Sequence, residues 1–427
     1  MSFAQLYFEM MSCLTWARKK RSGWLLAELV AVSIILWHLL DPLMVQTYVN
    51  GLPDGFESEN LYRIELNEYP SVSSFYRADA GEREQRIENM WHIRERVSRY
   101  SGVESATFQI EALAPGSTAC LLGRNAISDT LMSVFTVHFV PKSDYFTTFR
   151  YRTFEGLSPK QLDQMDYHSS EFVCTDPHFP GKSVLGWNGD GGNKVRVVAS
   201  LFPVKMRMTL PPQQVEFLQR EAPENAWAIV FRLRDGIDPD DFLPAFRDWA
   251  KNELQLGNYY VGNIESYQDF IKQSTSSADY DYLMKVILAC FFLFCVFLGV
   301  SGTFWMQTRS RCEEIGILKS FGATSGRILR LFLFEGLGLV TVAVLLGCVI
   351  YLQYAMHSGL YFPKDVYFSQ ETCCSPYVHY WYESFKEHFL IVSGVVWLLM
   401  VLIVSFGIYV PMRGISRIAP TEALHEE

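Results

Sequence analysis

Ionisable residues inside apolar runs are where chemistry is first to be sought, and this chain carries two carboxylates so placed. Glu28 lies in WLLAELVAVSIILWHLL (24–40) and Glu335 in LFLFEGLGLV (331–340). A charge at membrane depth is costly, so each position suggests a proton relay, an ion pair or a snorkelling site near an interface. Glu335 follows Arg330 closely and Glu28 follows the RKKR cluster at 18–21, so pairing or snorkelling competes with proton transfer at both positions. The remaining candidates are weaker. NGDGGN (188–193) has the composition of a calcium loop but not the ligand spacing or closing glutamate of an EF-hand, and it fits a β-turn better. His138, His168 and His178 have no metal spacing to cysteine or carboxylate. No GxSxG, HExxH or Walker A motif occurs, so no catalytic or metal-ligating residue is assigned and no ATP site is expected in this chain.

Those residues sit in a chain of 427 residues, 19% charged, with mean hydropathy of +0.07, too patchy for one soluble domain. Apolar runs at 24–40, 286–306, 331–352 and 389–410 are candidate membrane helices, since a span needs roughly 20 apolar residues. The first is the shortest. No small-x-small cleavage site follows it at LWHLLDP, which favours a retained signal anchor over a cleaved leader. Lys and Arg cluster at 18–21, then at Arg309, Arg311, Lys319, Arg327 and Arg330, then at Arg413 and Arg417. The positive-inside bias therefore puts both termini in the cytoplasm. The expected order is an amphipathic cytoplasmic segment 1–23, helix 24–40, an extracytoplasmic domain 41–285 ending in a stalk at 265–285, and helix 286–306. A cytoplasmic connector 307–330, helix 331–352, an outer loop 353–388, helix 389–410 and a cytoplasmic tail 411–427 complete it.

The net charge of −9, without a basic stripe, argues against nucleic acid as a partner. The 9 cysteines form no CxxC pairs. Cys120 with Cys174, and Cys373 with Cys374, fall in outer regions where disulfides are permitted but not required, whereas Cys13, Cys290, Cys295, Cys312 and Cys348 are expected to stay reduced. YVHYWYESF (377–385) fits an interfacial aromatic belt, with ligand stacking as the alternative.

In the outer region NLYRIEL (60–66), ESATFQI (104–110), VFTVHFV (134–140), VRVVASL (195–201) and AIVFRLR (228–234) have strand composition. Ile87, Met90, Trp91 and Val97 recur at helical spacing before Gly102. Asp238 can cap a second helix with Pro239 at its first position and Phe242, Leu243, Phe246, Trp249 and Leu254 on one face. Two split βαβ units flanking a less regular insert at 112–225 follow from that order. Among the membrane runs, Cys295 with Gly299, Ala343 with Gly347, and Ser301 with Gly302 provide small residues for close helix packing, within the chain or in a dimer.

The connector RSRCEEIGILKSFGATSGRILRLFLFEG (309–336) projects as an amphipathic helix. Ile317, Leu318 and Phe321, with Ile315 at the edge, form an apolar side expected to face the membrane or the bundle. Gly316, Ser320 and Ala323, flanked by Glu313 and Lys319, form a small-residue side open to another protein. Glu314 complements the helix dipole and Gly322 ends the helix.

EEIGILKSFGATSGRILRLFLFEG resembles the signature of the FtsX-like and MacB-like ABC-transporter permeases through Glu314, Ile315, Gly316, Ile317, Leu318, Lys319, Gly322, Ala323 and Glu335. The closing YVPMRGISRIAPTEALHEE is similar to the family's terminal motif through Pro411, Arg413, Ser416, Arg417, Ile418, Pro420, Glu422, Ala423 and Leu424. Cys312 and Glu313 depart from the basic residues usual before Glu-Ile-Gly, and Ser320 with Phe321 replaces the common Ala-Leu.

The resemblance implies an α-helical membrane protein with four transmembrane helices plus an α+β extracytoplasmic domain, its split βαβ porter-like part carrying an inserted lobe. It also implies a non-catalytic permease subunit of a bacterial inner-membrane ABC transporter, acting in lipoprotein release or efflux by mechanotransmission. An FtsX-like scaffold that activates an extracytoplasmic wall enzyme without transport is the alternative. On this reading two copies of a separate ATPase, which supply the ATP and Mg that this chain does not bind, dock on Glu313 to Ala323. A second permease copy or paralogue, membrane lipids and an unidentified extracytoplasmic substrate or protein complete the assembly. Gly316→Arg is the substitution expected to block docking.

Overall fold

A computed structural model describes residues 19–110, 119–124, 131–177, 179, 181, 183–184, 195–205, 211–212, 216–309, 312–363 and 379–415. NGDGGN, His178, Cys13, Cys373, Cys374, Arg417, Pro420, Ala423 and Leu424 lie outside them, as do the side chains of Cys120 and Cys312. The chain forms two compact units, one of Met1–Thr47, Tyr280–Phe362 and Tyr380–Glu427 and one of Tyr48–Asp279 and Pro363–His379.

The elements are, in order, α1 (Lys19–Asn50), β1 (Leu61–Glu68), α2 (Arg83–Arg99), β2 (Val103–Gln109), β3 (Ala119–Arg124), β4 (Leu131–Phe139), α3 (Tyr145–Phe149), α4 (Pro159–Gln164), β5 (Glu171–Cys174), β6 (Ser183–Val184), β7 (Val195–Ser200), β8 (Glu216–Arg220), β9 (Ala228–Leu233), α5 (Pro239–Glu253), β10 (Tyr259–Ser266), α6 (Tyr267–Arg309), α7 (Cys312–Ser320), α8 (Ser325–Ser358) and α9 (Phe385–Ile415).

The α+β unit contains a four-stranded antiparallel sheet in the order β10-β1-β9-β2. With α2 between β1 and β2 and α5 between β9 and β10, this is the interleaved double split-βαβ arrangement. β9 is central, and all six of its residues, AIVFRL, are buried. Only a strand covered on both faces supports so continuous a run. α2 packs Met90, Ile93 and Val97 on the sheet, and α5 packs Phe246 and Ala250. Asp238 caps α5 by accepting the Asp240 N–H at 3.0 Å.

The insert between β2 and β9 is more regular than expected. It holds a six-stranded mixed sheet in the order β3-β4-β8-β5-β7-β6. β4 and β7 carry the two stretches expected as strands, whereas β3, β5, β6 and β8 escape a sequence reading, β5 and β6 because they span only 4 and 2 residues. Strands that short take their conformation from their neighbours in the ladder rather than from their own pattern. Phe139, Tyr145, Phe146, Phe149, Tyr151 and Tyr167 fill the core beside this sheet.

Arg232, 1% exposed on β9, donates to the backbone carbonyls of Thr148 at 2.7 Å, Glu59 at 2.8 Å and Glu57 at 2.5 Å. Burial, assisted by Arg150, lowers its pKa to about 10, which still leaves the guanidinium charged at neutral pH. Asp163 accepts the N–H groups of Phe146 and Thr147, each at 2.9 Å, and the Thr147 hydroxyl at 2.6 Å, holding the first turn of α3. Burial raises its pKa despite those bonds.

In the helix unit, Gly23–Asn50, Asp279–Met306, Ser325–Ser358 and Phe385–Arg413 are long and apolar enough to cross a membrane. Each contains one of the apolar runs and extends past it. α8 begins at Ser325 and so takes up the end of the expected connector, and the stretch expected as a stalk is the end of β10 and the opening of α6. Leu29, Leu36, Trp37, Val296, Val300, Val340, Val344, Val392, Val396, Met400 and Val404 form a continuous core along the four helices.

Candidate docking site

α7 is short, so its placement depends on its ends. Gly322 has φ of +82°, its N–H donates to the Lys319 carbonyl at 2.9 Å, and the Ala323 N–H reaches back to the Leu318 carbonyl at 3.1 Å. This is a Schellman closure with glycine at the left-handed position, and Leu318 and Ala323, the pair that such a closure brings together, both pack on the helix core. The Ile328 N–H then bonds the Thr324 carbonyl at 3.1 Å to start α8.

The faces of α7 differ from the projection in the sequence. Ile315 is 1% exposed within the core, Leu318 and Ala323 pack against that core, and Gly316 is buried. Ile317 is 49% and Phe321 87% exposed, and Ser320 is exposed beside them with its hydroxyl bonded to the Ile317 carbonyl at 2.7 Å. The expected small-residue docking side of Gly316, Ser320 and Ala323 is therefore divided, with only Ser320 fully outward, and the apolar side is divided as well. The physical reason is that α7 has two apolar arcs, Ile315 with Leu318 and Ile317 with Phe321, and the closing turn at Gly322 turns the first inward. Lys319 is half-buried, and Glu313 and Glu314 lie on the helix with side chains outside the described set.

The membrane glycines also divide. A Cβ on Gly347 would meet the Ser33 hydroxyl of α1, one on Gly336 would meet Ile408, and one on Gly407 would lie 3.0 Å from the Ser301 Cα, so these three mark close helix approaches. Gly299 and Gly302 have nothing within 4 Å and Cys295 is exposed, so of the expected α6 small residues only Ser301 meets another helix, at Gly407 of α9. Glu28 accepts from the Thr303 hydroxyl of α6 at 3.5 Å, Glu335 is half-buried on α8, Pro411 is buried in α9 and Arg413 is exposed.

The sequence reading missed one cluster. Asp41 of α1, 3% exposed, and His388 of α9, 0% exposed, meet with Nε2 to Oδ1 at 2.5 Å. His388 Nδ1 faces the Tyr382 carbonyl at 3.0 Å, and Asp41 Oδ2 accepts the Tyr361 N–H at 3.0 Å. Burial and then Asp41 raise the Tyr361 pKa. Nearby, Trp37 stacks on Tyr351 at 4.1 Å and donates to the Ser393 hydroxyl at 3.0 Å. The two partners lie 347 positions apart, so no local spacing signals the pair; the only hint is that each borders an apolar run. Among the described residues no group of three or more His, Cys, Asp or Glu could hold a metal.

The helix unit thus has four helices long and apolar enough to cross a membrane, with the short α7 between the second and the third. Residues 286–420 match the family described as FtsX-like permease C-terminal. No curated protein matches the chain. Among solved structures it is similar to a domain of a putative permease protein from Porphyromonas gingivalis, with 14% identity over 49% of this chain and 94% of that one and a TM-score of 0.28. It is also similar to the periplasmic region of MacB from Actinobacillus actinomycetemcomitans, with 13% identity over 54% of this chain and 98% of that one and a TM-score of 0.28.

Proposed function

We propose that this chain is the non-catalytic permease subunit of an ABC system of a bacterial inner membrane, with both termini cytoplasmic, and that a separate ATPase docks on α7. The observation that carries this reading is the outward pair Ile317 and Phe321, large apolar side chains on a helix whose other arc is fixed in the core. An exposed apolar pair on an immobilised helix suits insertion into a groove of a partner, the helix-in-groove mode of recognition. ATP and Mg then belong to the partner, and two permease chains with two ATPase copies make the working unit. The work done outside is lipoprotein release or efflux by the α+β unit.

The test is retention of the ATPase when the chain is purified in mild detergent. Ile317→Asp and Phe321→Asp are expected to release it while leaving the thermal unfolding of the permease unchanged. Gly316→Arg no longer serves, because Gly316 is buried and its loss would damage the fold first. Retention of the ATPase by both Asp variants would refute the docking assignment. Crosslinking from the α+β unit with and without ATP reads the outer role: a captured lipoprotein or amphiphile supports transport, and a captured wall hydrolase overturns it in favour of scaffolding.

A further inference from the structure

The Asp41 and His388 pair has a proton count that its neighbours dictate. The Tyr382 carbonyl can only accept, so His388 Nδ1 carries a hydrogen. The Tyr361 N–H can only donate, so Asp41 Oδ2 is a bare acceptor. A contact of 2.5 Å between Nε2 and Oδ1 then needs one hydrogen between them. Imidazolium with carboxylate, or imidazole with carboxylic acid, are two drawings of that same count. Without the proton, two lone pairs oppose each other in a site closed to water. With a second proton, either two hydrogens crowd the contact or one on Oδ2 opposes the Tyr361 N–H.

We propose that Asp41 and His388 form a binding site for a single proton that fastens α1, the segment after α8 and the start of α9 together, and that the fastening opens when the site either loses that proton or gains another. The site lies at the far end of the helix unit from α7, since α8 leaves α7 at Ser325 and ends at Ser358, just before Tyr361. The titratable neighbours are few. α1 adds His38, whose Nδ1 is 3.4 Å from the Tyr351 hydroxyl. α8 adds Tyr351 and Tyr354, and the following segment adds Tyr361, whose hydroxyl donates to Gln46 Oε1 at 3.3 Å. The turn before α9 adds Tyr380, Tyr382 and Glu383, and α9 adds Lys386 and Glu387, both exposed, one turn or less before His388. The Trp381 ring stands edge-on to His388 at 5.1 Å, and Trp381 supplies no charge.

Hydrogen–deuterium exchange of the full chain in lipid nanodiscs tests this, read as the protection of 38–45 and 385–392 across acid to alkaline pH. Each point is compared with Asp41→Asn/His388→Gln at the same pH, so that the chemical pH dependence of exchange cancels. Wild-type protection is expected to pass through a maximum, with opening rising by up to about tenfold per pH unit on each limb, the slope of one proton. Asp41→Asn is expected to lose the alkaline limb alone, because its amide donates to neutral Nε2 while its Oδ1 accepts from Tyr361. His388→Gln, which donates to the carboxylate without titrating, loses the same limb and serves if Asp41→Asn does not fold. A flat wild-type profile, a two-proton slope, or an alkaline limb surviving in both single variants overturns the proposal.

Discussion

Replacing Gly407 by alanine puts a methyl group where α9 meets α6 most closely. The added Cβ would lie 3.0 Å from the Ser301 Cα, 3.3 Å from its Oγ and 3.5 Å from its Cβ. Carbon atoms sit best at roughly 3.5–4.0 Å, so the helices must part locally by a few tenths of an ångström. The nearest atom is backbone, so no rotamer change relieves it. Overpacking of this kind costs about 1–3 kcal/mol, against which alanine returns at most about 1 kcal/mol of helix propensity. With the full propensity gain the expected net loss is about 0–2 kcal/mol. Gly394, on the same helix with nothing within 4 Å, provides the control, and Gly394→Ala should be neutral or stabilising. The assay is thermal and SDS-induced unfolding of the two variants in one detergent. Adding Ser301→Gly to Gly407→Ala takes away the Oγ and Cβ atoms but leaves the backbone carbon in place, so it should restore part of the loss and not all of it. Equal stability of the Gly407 and Gly394 variants would refute the close approach of α6 and α9.

In the α+β unit, Arg232→Met is expected to cost about 3 kcal/mol or more, because three carbonyls at 2.5–2.8 Å lose a charged donor in a site 1% exposed. A denaturant midpoint within error of wild type would contradict that. Burial holds the Asp163 pKa above the ordinary 3.8, so its contribution is fully present below that value and is lost as pH rises through the folded value. The stability of wild type minus that of Asp163→Asn should therefore fall as pH rises above the ordinary carboxylate range, and a difference that grows with pH would show the sign to be wrong. Ile315→Asp, which puts a charge into the helix core, should lower the unfolding temperature whether or not a partner is present, in contrast to Ile317→Asp and Phe321→Asp.

What could be read from the sequence follows from how far each pattern depends on distant residues. β9 is legible because AIVFRL is apolar throughout but for Arg232, and α5 because Asp238, Pro239 and the Phe246 face are local signals. β5 and β6 are not, since EFVC and SV become strands only through pairing with β7 and β8. The membrane helices are legible by length, but which glycines touch a neighbour is not: Gly299 and Gly407 look alike in sequence, and of the two only Gly407 has a backbone against it. α7 is the sharpest case. Its existence and its stop at Gly322 follow from local residue types, yet its orientation does not, because Ile315 and Ile317 are the same residue on opposite arcs. The choice between them is made by Leu318 and Ala323, which the closing turn draws onto the helix core and which carry Ile315 with them. Ile317 and Phe321 are left outward for that reason, and a surface so formed cannot be buried by rearranging α7 alone without breaking the turn that fixes it. A partner that covers Phe321 therefore meets a helix already held in place, with little conformational entropy left to lose on binding.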